Sequence, residues 1–332
     1  MAKHAPYGRD ASVHIETGSN KATVLDSAIA ASGFLQHVEA AFAAGGGPRD
    51  AFAIAIKPNL MSAATADGDA GGDQTDPTLV ERLIAALRGA GFETIALVES
   101  PLVGGPTVAQ AAARAGYTSD GYRIADLSEE AVPFVYGGVL GDHVAGRSWL
   151  EADYRICFGK GKTQWQCFFS GCLANIYGCL PEPDKLGRYH GTGHEFFECC
   201  VLAADRLPVD FAFLDAWVGG DGRRSHAHRR GARETRTIFA SDNAFALDWV
   251  AAEKMGLDPE LSFVIQEALL RWGTIQINRR GNVATWPQWR NVRPLTVTAV
   301  HLFEPLFRRR FTRTLLRLLG SRGRRLATWT VQ

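Results

Sequence analysis

Lysine side chains follow two of the short apolar runs in this chain. Lys57 and Asn59 follow one run, and Lys160 and Lys162 follow another. Ammonium groups bind carboxylates and phosphates, and an amide can orient such an anion by hydrogen bonds. Asn175 is a further amide in a later polar segment. We therefore expect Lys57, Lys160 and Lys162 to grip a small anionic molecule, with Asn59 and Asn175 orienting it.

Two histidines, His190 and His194, lie four residues apart with two glycines between them. Histidine changes charge near neutral pH and is a common metal ligand. On a helix this spacing would put both rings on one face, where they could chelate a metal, whereas the two glycines favour a loop. The sequence leaves three roles open for these histidines: metal ligand, acid–base group and structural side chain. We predict that His190 is the proton carrier and that His194 is a metal ligand.

Two carboxylates, Glu99 and Asp215, come just past predicted strand ends and have no helix to cap. Each is a candidate partner for His190 or a candidate metal ligand. The predicted catalytic side chains are His190, Lys162 and Glu99. The predicted metal ligands are Asp215 and His194. No cofactor is specified by the sequence, and a metal ion is the one candidate.

The segment 159–163, Gly-Lys-Gly-Lys-Thr, follows a strand and invites comparison with a phosphate-binding loop. That motif needs a glycine five residues before Gly161, where this chain has Ile156. The six cysteines have neither the paired spacing of zinc sites nor that of bacterial iron–sulfur ligands. Free cysteine is by default a small buried apolar residue. We expect reduced thiols in a core, and hence a cytoplasmic protein.

Composition places the chain among ordinary globular proteins, with 46% hydrophobic and 21% charged residues. It excludes collagen-like, disordered and coiled-coil classes. The sequence contains no run of 18 apolar residues, so it predicts no membrane span. The net charge is +1, yet residues 301–332 hold eight arginines against the single acid Glu304. The rest of the chain is mildly acidic, so no nucleic-acid partner is expected.

Five β-branched or aromatic runs alternate with helical patterns, which is typical of a parallel sheet covered by helices. The predicted strands are 52–56, 94–98, 154–158, 211–214 and 237–240. Polar residues follow each run, and ligands of open α/β sheets bind beyond the carboxyl ends of strands. We expect the five turns to form the functional edge of the sheet.

Three helices have clear sequence signals. The first follows Asp76-Pro77 and ends near Gly89, and the second ends at Gly116. The third spans about 243–255, with Ser241 or Asp242 as its cap. We predict an α/β protein with two lobes, residues 1–145 and 146–295, and a basic amphipathic tail, residues 296–332.

The tail places phenylalanines and leucines at helical spacing, with arginines on the other side. Such a helix can dock on its own protein or a second subunit. It can also lie on an anionic membrane surface. Contact with a membrane or a protein through residues 301–325 is therefore expected, while the oligomeric state is left open.

The order of several short motifs resembles the domain of unknown function 362 family over roughly residues 50–275. The motifs are I-K-P-N-L at 56–60, T-D-P at 75–77, E-S-P at 99–101, G-G-x-T at 104–107, A-G-Y at 115–117, K-T at 162–163, N-x-Y-G at 175–178, Y-H at 189–190 and S-D-x-x-x-x-x-D at 241–248.

Two positions depart from this family pattern. Gln164 stands where the family has histidine after K-T, and Ala174 stands where it has lysine before the asparagine. Neither side chain here can exchange a proton near neutral pH. Some relatives also carry a ferredoxin-like cysteine module, which this chain lacks. The resemblance implies a fold and a site location and names no reaction.

Together these features predict an enzyme acting on a small anionic metabolite at a cleft between the lobes, by acid–base or metal-assisted chemistry. Isomerisation, elimination and redox chemistry all stay open. The alternative is a non-catalytic ligand- or cluster-binding accessory protein of an electron-transfer or biosynthetic assembly. Gln164 and Ala174 favour the alternative, whereas Lys162, Asn175 and His190 favour retained chemistry.

Overall fold

The computed structural model describes residues 6–60, 73–101, 106–164, 167–182, 185, 195–222 and 232–298. The strands are β1 Ala11–Thr17, β2 Ile54–Pro58, β3 Ile95–Glu99, β4 Arg123–Asp126, β5 Ala131–Gly137, β6 Gly141–Gly146, β7 Tyr154–Gln164, β8 Phe168–Ser170, β9 Phe211–Gly220, β10 Ala232–Ser241 and β11 Ile277–Gly281.

The helices are α1 Lys21–Ala31, α2 Phe34–Gly45, α3 Pro77–Gly89, α4 Val108–Ala115, α5 Arg147–Leu150, α6 Cys172–Ile176, α7 Glu195–Arg206, α8 Ala244–Lys254 and α9 Phe263–Trp272. Short 3₁₀ turns lie at Arg49–Ala51, Tyr177–Cys179 and Pro259–Leu261.

One nine-stranded sheet organises the described residues, in the order β11-β1-β10-β9-β7-β2-β3-β4, with β8 beside β7. Neighbouring strands from β9 to β4 are parallel, and β10 is antiparallel to both of its neighbours. The predicted α/β class, with a mostly parallel sheet covered by helices, is confirmed. Strands from both sides of residue 145 share this sheet, because β2 pairs with β7. The division into two lobes stays a prediction.

Helices cover both faces of the sheet. Helices α1 to α4 pack one apolar cluster on the face of Ile54, Ile56 and Phe158. Helices α6 to α9 pack a second cluster on the face of Ala55 and Cys157. Adjacent residues in a strand point to opposite faces. The position of a polar residue in this alternation therefore determines on which face of the sheet its side chain lies.

Chain direction determines which strand ends meet. The strand β10 runs opposite to β9, so the turn after Ser241 lies at the edge where the parallel strands begin. The prediction that this turn joins the functional edge is wrong. The predicted cap of the helix at 243–255 is also wrong, because Asn243 accepts from Ala246 N at 3.0 Å. The predicted start of α3 after Asp76-Pro77 is confirmed, since Asp76 caps this helix by accepting from Thr78 N.

Two predicted strands are longer than their apolar runs indicate. The strand β7 continues through Lys160 and Lys162 to Gln164, and β9 continues through Asp215 to Gly220. These charged residues therefore lie within strands rather than after them. Among the described residues, no helix is long and apolar enough to cross a membrane. Residues 299–332, which include all eight arginines of the basic tail, lie outside the described residues.

Candidate functional site

The direction of chain progression changes between β2 and β7, which are neighbours in the sheet. From β2 the chain proceeds to β3 and β4 on one side, and from β7 it proceeds to β9 on the other. In open parallel sheets the carboxyl edge at such a point is the usual ligand site. Lys57 and Lys160 lie on these two strands, toward the carboxyl edge.

A buried ion pair occupies the centre of this edge. Lys57 Nζ donates to Glu99 Oε2 at 2.8 Å, to Pro58 O at 2.6 Å and to Asn175 Oδ1 at 3.1 Å. Both charged side chains are almost completely buried. Asn175 Nδ2 donates back to Lys57 O at 3.0 Å. Because an ammonium has three hydrogens, Lys57 is saturated by these contacts. Its predicted role in gripping an anion stays a prediction.

A second buried ion pair lies on the other face of the same edge. Lys160 Nζ lies 2.7 Å from Asp215 Oδ2, and both side chains are buried. The remaining contacts of Asp215 come from backbone groups, Asp76 N and Trp217 N, each at 2.9 Å. Asp215 thereby ties the start of α3 to the end of the sheet. Its assignment as a metal ligand stays a prediction.

Lys162 has a different environment from these paired lysines. Its Nζ donates to the backbone carbonyl of Asp73 at 2.8 Å, and the side chain is 2% exposed. Burial lowers the pKa of Lys162 to about 8, against the opposing charge of Asp73. Burial raises the pKa of the Asp73 carboxyl to about 6, partly offset by Lys162 and Lys160. Both groups therefore titrate near neutral pH, as catalytic acids and bases do.

Lys185 is a functional candidate that the sequence did not identify. Its Nζ donates to Ser100 Oγ at 2.6 Å, and to the carbonyls of Ser100 and Pro101 at 3.3 Å. The side chain is 0% exposed, and burial lowers its pKa to about 8. A single lysine after a proline-containing segment has no characteristic spacing. Only the E-S-P motif, whose serine it contacts, could have drawn attention to this region.

Asn59 links the end of β2 to the segment just before α3. Its backbone N–H donates to Thr75 Oγ1 at 2.8 Å, and Thr75 Oγ1 donates to Phe158 O at 2.8 Å. Thr75 N also donates to Asn59 O at 3.1 Å. The threonine of the T-D-P motif therefore fastens the residue after β2 to β7. Contact of the Asn59 amide with a ligand stays a prediction.

Asp248 positions the short helix that carries Asn175. Its carboxylate accepts from Cys172 N at 2.6 Å and from Leu173 N at 2.9 Å, at the first turn of α6. Burial raises the pKa of Asp248 to about 7, against these two hydrogen bonds. Asp248 is the last residue of the S-D-x-x-x-x-x-D motif. Through Asp248, this motif holds the first turn of α6 in place. The six cysteines are free thiols, and all are buried.

The predicted metal ligand His194 and the predicted proton carrier His190 both lie outside the described residues. Their roles stay predictions. Within the described ranges, no group of three or more histidine, cysteine, aspartate or glutamate side chains could hold a metal ion. Gln164 and Ala174 belong to β7 and α6, in the same part of the fold as Lys162 and Asn175.

Two open grooves lie away from the lysines. One, of about 750 Å³, includes Arg9 and Asp242, and the other, of about 600 Å³, includes Arg123 and Glu130 at the amino ends of the strands. In both, arginines form partly exposed ion pairs with carboxylates. Such pairs contribute little and are common on surfaces. We place the candidate site at the carboxyl edge, because the charges there are buried.

Gly178 provides a test of how tightly this edge is packed. A Cβ at this position would overlap Glu99 Oε1 and lie 2.5 Å from Lys57 Cε. We expect Gly178→Ala to destabilise the protein by about 1–3 kcal/mol, because the ion pair must shift. Urea unfolding measures this change. Gly45→Ala at the end of α2 is the control, since its Cβ would have nothing within 4 Å. Equal unfolding midpoints for the two variants would contradict the tight packing.

Comparison with known proteins gives three likenesses. The thylakoid-associated protein sll1697 of Synechocystis sp. is 28% identical over 113 residues, which are 33% of this chain and 35% of that protein. The lactate racemase apoprotein from Thermoanaerobacterium thermosaccharolyticum superposes with a TM-score of 0.39 at 13% identity, over 74% of this chain and 57% of that one. The model of the family described as Domain of unknown function (DUF362) matches residues 54–253. The matched range carries the motifs and lysines of the carboxyl edge, and the chain belongs to this DUF362 family.

Proposed function

We propose that this protein is an enzyme that binds a small anionic molecule at the carboxyl edge of β2 and β7, with Lys162 binding the anion and exchanging a proton with it. The observation that carries the proposal is the partner of Lys162. Its buried ammonium donates to a backbone carbonyl, whereas the neighbouring Lys57 and Lys160 are each paired with a carboxylate.

Within the part of the chain that the structure describes, the Lys162 ammonium has no direct contact with a carboxylate. Burial of such a group opposes folding, because desolvation disfavours the charged form. The lowered pKa of Lys162 records that penalty. Groups retained at such a cost are found at functional sites. An anionic ligand would supply the missing negative charge at Lys162. The charge balance therefore supports an anion as the substrate class.

A pKa near 8 also suits proton transfer. At neutral pH, Lys162 is mostly protonated and can return to that form after giving up a proton. The charge of the Asp73 carboxyl also acts on Lys162, and burial raises the pKa of this carboxyl to about 6. The proposal assigns the proton transfer to Lys162 and keeps His190 as a second predicted carrier. The class of reaction stays open.

Sulfate binding tests the proposal, because sulfate keeps the same charge between pH 5 and 9. We expect Lys162→Met to weaken sulfate binding at pH 7 by at least about tenfold, which corresponds to 1.4 kcal/mol. Its melting temperature should stay the same or rise, since a buried charge is removed. Isothermal titration calorimetry and thermal melts measure the two effects.

Arg147→Met is the matched control. It removes one positive charge from an exposed ion pair at the amino edge of the sheet. This variant should bind sulfate like the wild type, because screened surface charge contributes little at that distance. Equal loss of affinity in both variants would show a general charge effect and contradict the proposed role of Lys162.

The pH dependence has a definite sign. The ionisable groups that act electrostatically on Lys162 are Asp73, Lys160, Cys167 and Lys57. Sulfate affinity should fall as pH rises through about 6, where Asp73 becomes negative, and again through about 8, where Lys162 loses its charge. An affinity that is constant from pH 5 to 9 would contradict the proposal.

The alternative is a ligand-binding accessory protein without catalysis. Gln164 and Ala174 support it. They stand where the family pattern has histidine and lysine, and neither side chain can exchange a proton near neutral pH. Cytoplasmic localisation, and contact of residues 301–325 with a membrane or protein, stay separate predictions. An anion at the carboxyl edge is compatible with each of them.

A further inference from the structure

Lys162, the residue to which anion binding is assigned, is covered in this structure. Its side chain is 2% exposed, and its Nζ donates to the backbone carbonyl of Asp73 at 2.8 Å. An anion needs direct contact with the ammonium hydrogens to form a charge-assisted hydrogen bond. A side chain with so little exposed surface offers no face to an anion that arrives from solvent. Part of the structure around Lys162 must therefore move before an anion can bind.

The two residues at the start of α3 are firmly attached to the sheet. Thr75 is 0% exposed, and its Oγ1 lies 2.8 Å from both Asn59 N and Phe158 O. The backbone N–H of Thr75 donates to Asn59 O at 3.1 Å. The backbone N–H of Asp76 donates to the buried carboxylate of Asp215 at 2.9 Å. Thr75 and Asp76 therefore form a fixed point.

Asp73 and Gln74 come directly before this fixed point, and we call them the latch. Asp73 is partly exposed, and Gln74 is 3% exposed. The carbonyl of Asp73 is the group that contacts the Lys162 ammonium. A change in the backbone angles between Gln74 and Thr75 would move this carbonyl and leave the contacts of Thr75 in place. The latch is thus the part of the cover over Lys162 that can move without disturbing α3.

We infer that the Asp73 carbonyl and the anion compete for Lys162, so that the latch is an autoinhibitory contact that the anion opens. The inference rests on the proposed function and adds the regulation of that site. An anion carries a full negative charge and a carbonyl oxygen only a partial one, so the ammonium attracts the anion more strongly. The Asp73 carboxyl acts electrostatically on Lys162. Once ionised, it is repelled by an anion there, which also favours the open latch.

Thiol labelling of Gln74→Cys by a maleimide tests this inference. The six native cysteines are all buried, so the wild-type protein should be labelled slowly with or without sulfate. A cysteine at position 74 is buried while the latch is closed and reacts when the latch opens. Because a minor open state is populated at about 10% or less, saturating sulfate at pH 7 should speed this labelling by at least about tenfold.

The double variant Gln74→Cys/Lys162→Met is the matched control. It lacks the ammonium for which the carbonyl and the anion compete, so sulfate should leave its labelling rate unchanged. Equal acceleration by sulfate with and without Lys162 would overturn the inference, because the latch would then open for a reason other than this competition.

Calorimetric titration of the same proteins separates this inference from the proposed function. Sulfate that binds through Lys162, while the labelling of Gln74→Cys stays constant or slows, would overturn the latch and leave the anion site in place. Failure of sulfate to bind the wild-type protein would overturn both.

Hydrogen exchange of the wild-type protein decides the question if Gln74→Cys does not fold. Sulfate should speed exchange of the Gln74 amide, whereas the Thr75 amide, bonded to Asn59 O, should stay protected. Exchange that is unchanged at both amides while sulfate is bound would overturn the inference.

Discussion

Replacing Lys57 by methionine should destabilise the protein by about 3–5 kcal/mol, because the change leaves the buried carboxylate of Glu99 without its counterion. The Lys57 side chain is 0% exposed and that of Glu99 is 5% exposed, so water cannot compensate. Asn175 also loses a donor to its Oδ1. Urea unfolding at pH 7 measures the change in the free energy of unfolding.

The double variant Lys57→Met/Glu99→Leu distinguishes the charge from the packing. Replacement of both partners removes the uncompensated carboxylate, so most of the lost stability should return. The exposed pair Arg147–Glu151 is the control, and Arg147→Met should cost less than about 1 kcal/mol. A double variant as unstable as Lys57→Met alone would contradict this account of the pair.

Ionisation of the Asp248 carboxyl should make the free energy of unfolding depend strongly on pH. Its pKa in the folded protein is raised to about 7, and its ordinary value is 3.8. A raised pKa stabilises the fold below the unfolded value, and this stabilisation is lost as pH rises through the folded value. Three pKa units correspond to up to about 4 kcal/mol. Wild-type stability should therefore lose this contribution between about pH 4 and pH 7.

Asp248→Asn isolates that contribution, because asparagine resembles the protonated carboxyl and does not titrate. The stability of Asp248→Asn minus that of the wild type should rise with pH across this window, by up to about 4 kcal/mol. Urea unfolding of both proteins at several pH values gives the difference, and carboxylates common to both cancel. A difference that is independent of pH would show that Asp248 ionises as freely in the folded protein as in the unfolded chain.

The sequence was informative wherever a local rule acts. The spacing of Leu79, Leu83 and Leu87 predicted α3, and the Asp76-Pro77 signal predicted its start. The rule for carboxyl ends of strands placed Lys57 and Glu99 at one edge, where they form an ion pair. These predictions depend only on the sequence within one helix or strand, or on the shared direction of parallel strands.

The remaining features depend on contacts between distant parts of the chain. The strand β10 has the same apolar pattern as its neighbours, so its opposite direction is invisible in composition. Lys160 and Asp215 were predicted to follow strands, because charged residues seldom continue a buried strand unless they are paired with each other. Lys185 meets Ser100 across 85 positions of sequence, and no spacing rule links them.

The proton balance of sulfate binding tests the central claim most directly. Calorimetric titrations at pH 8, in two buffers with different ionisation enthalpies, give the number of protons taken up per sulfate bound. Lys162 has a pKa of about 8, so the free protein holds about half a proton there and the bound anion draws in the rest. The wild-type protein should take up about half a proton, and Lys162→Met should take up clearly less. Uptake that is zero in the wild type, or equal in the two proteins, would contradict the assignment of Lys162 as the group that binds the anion and carries the proton.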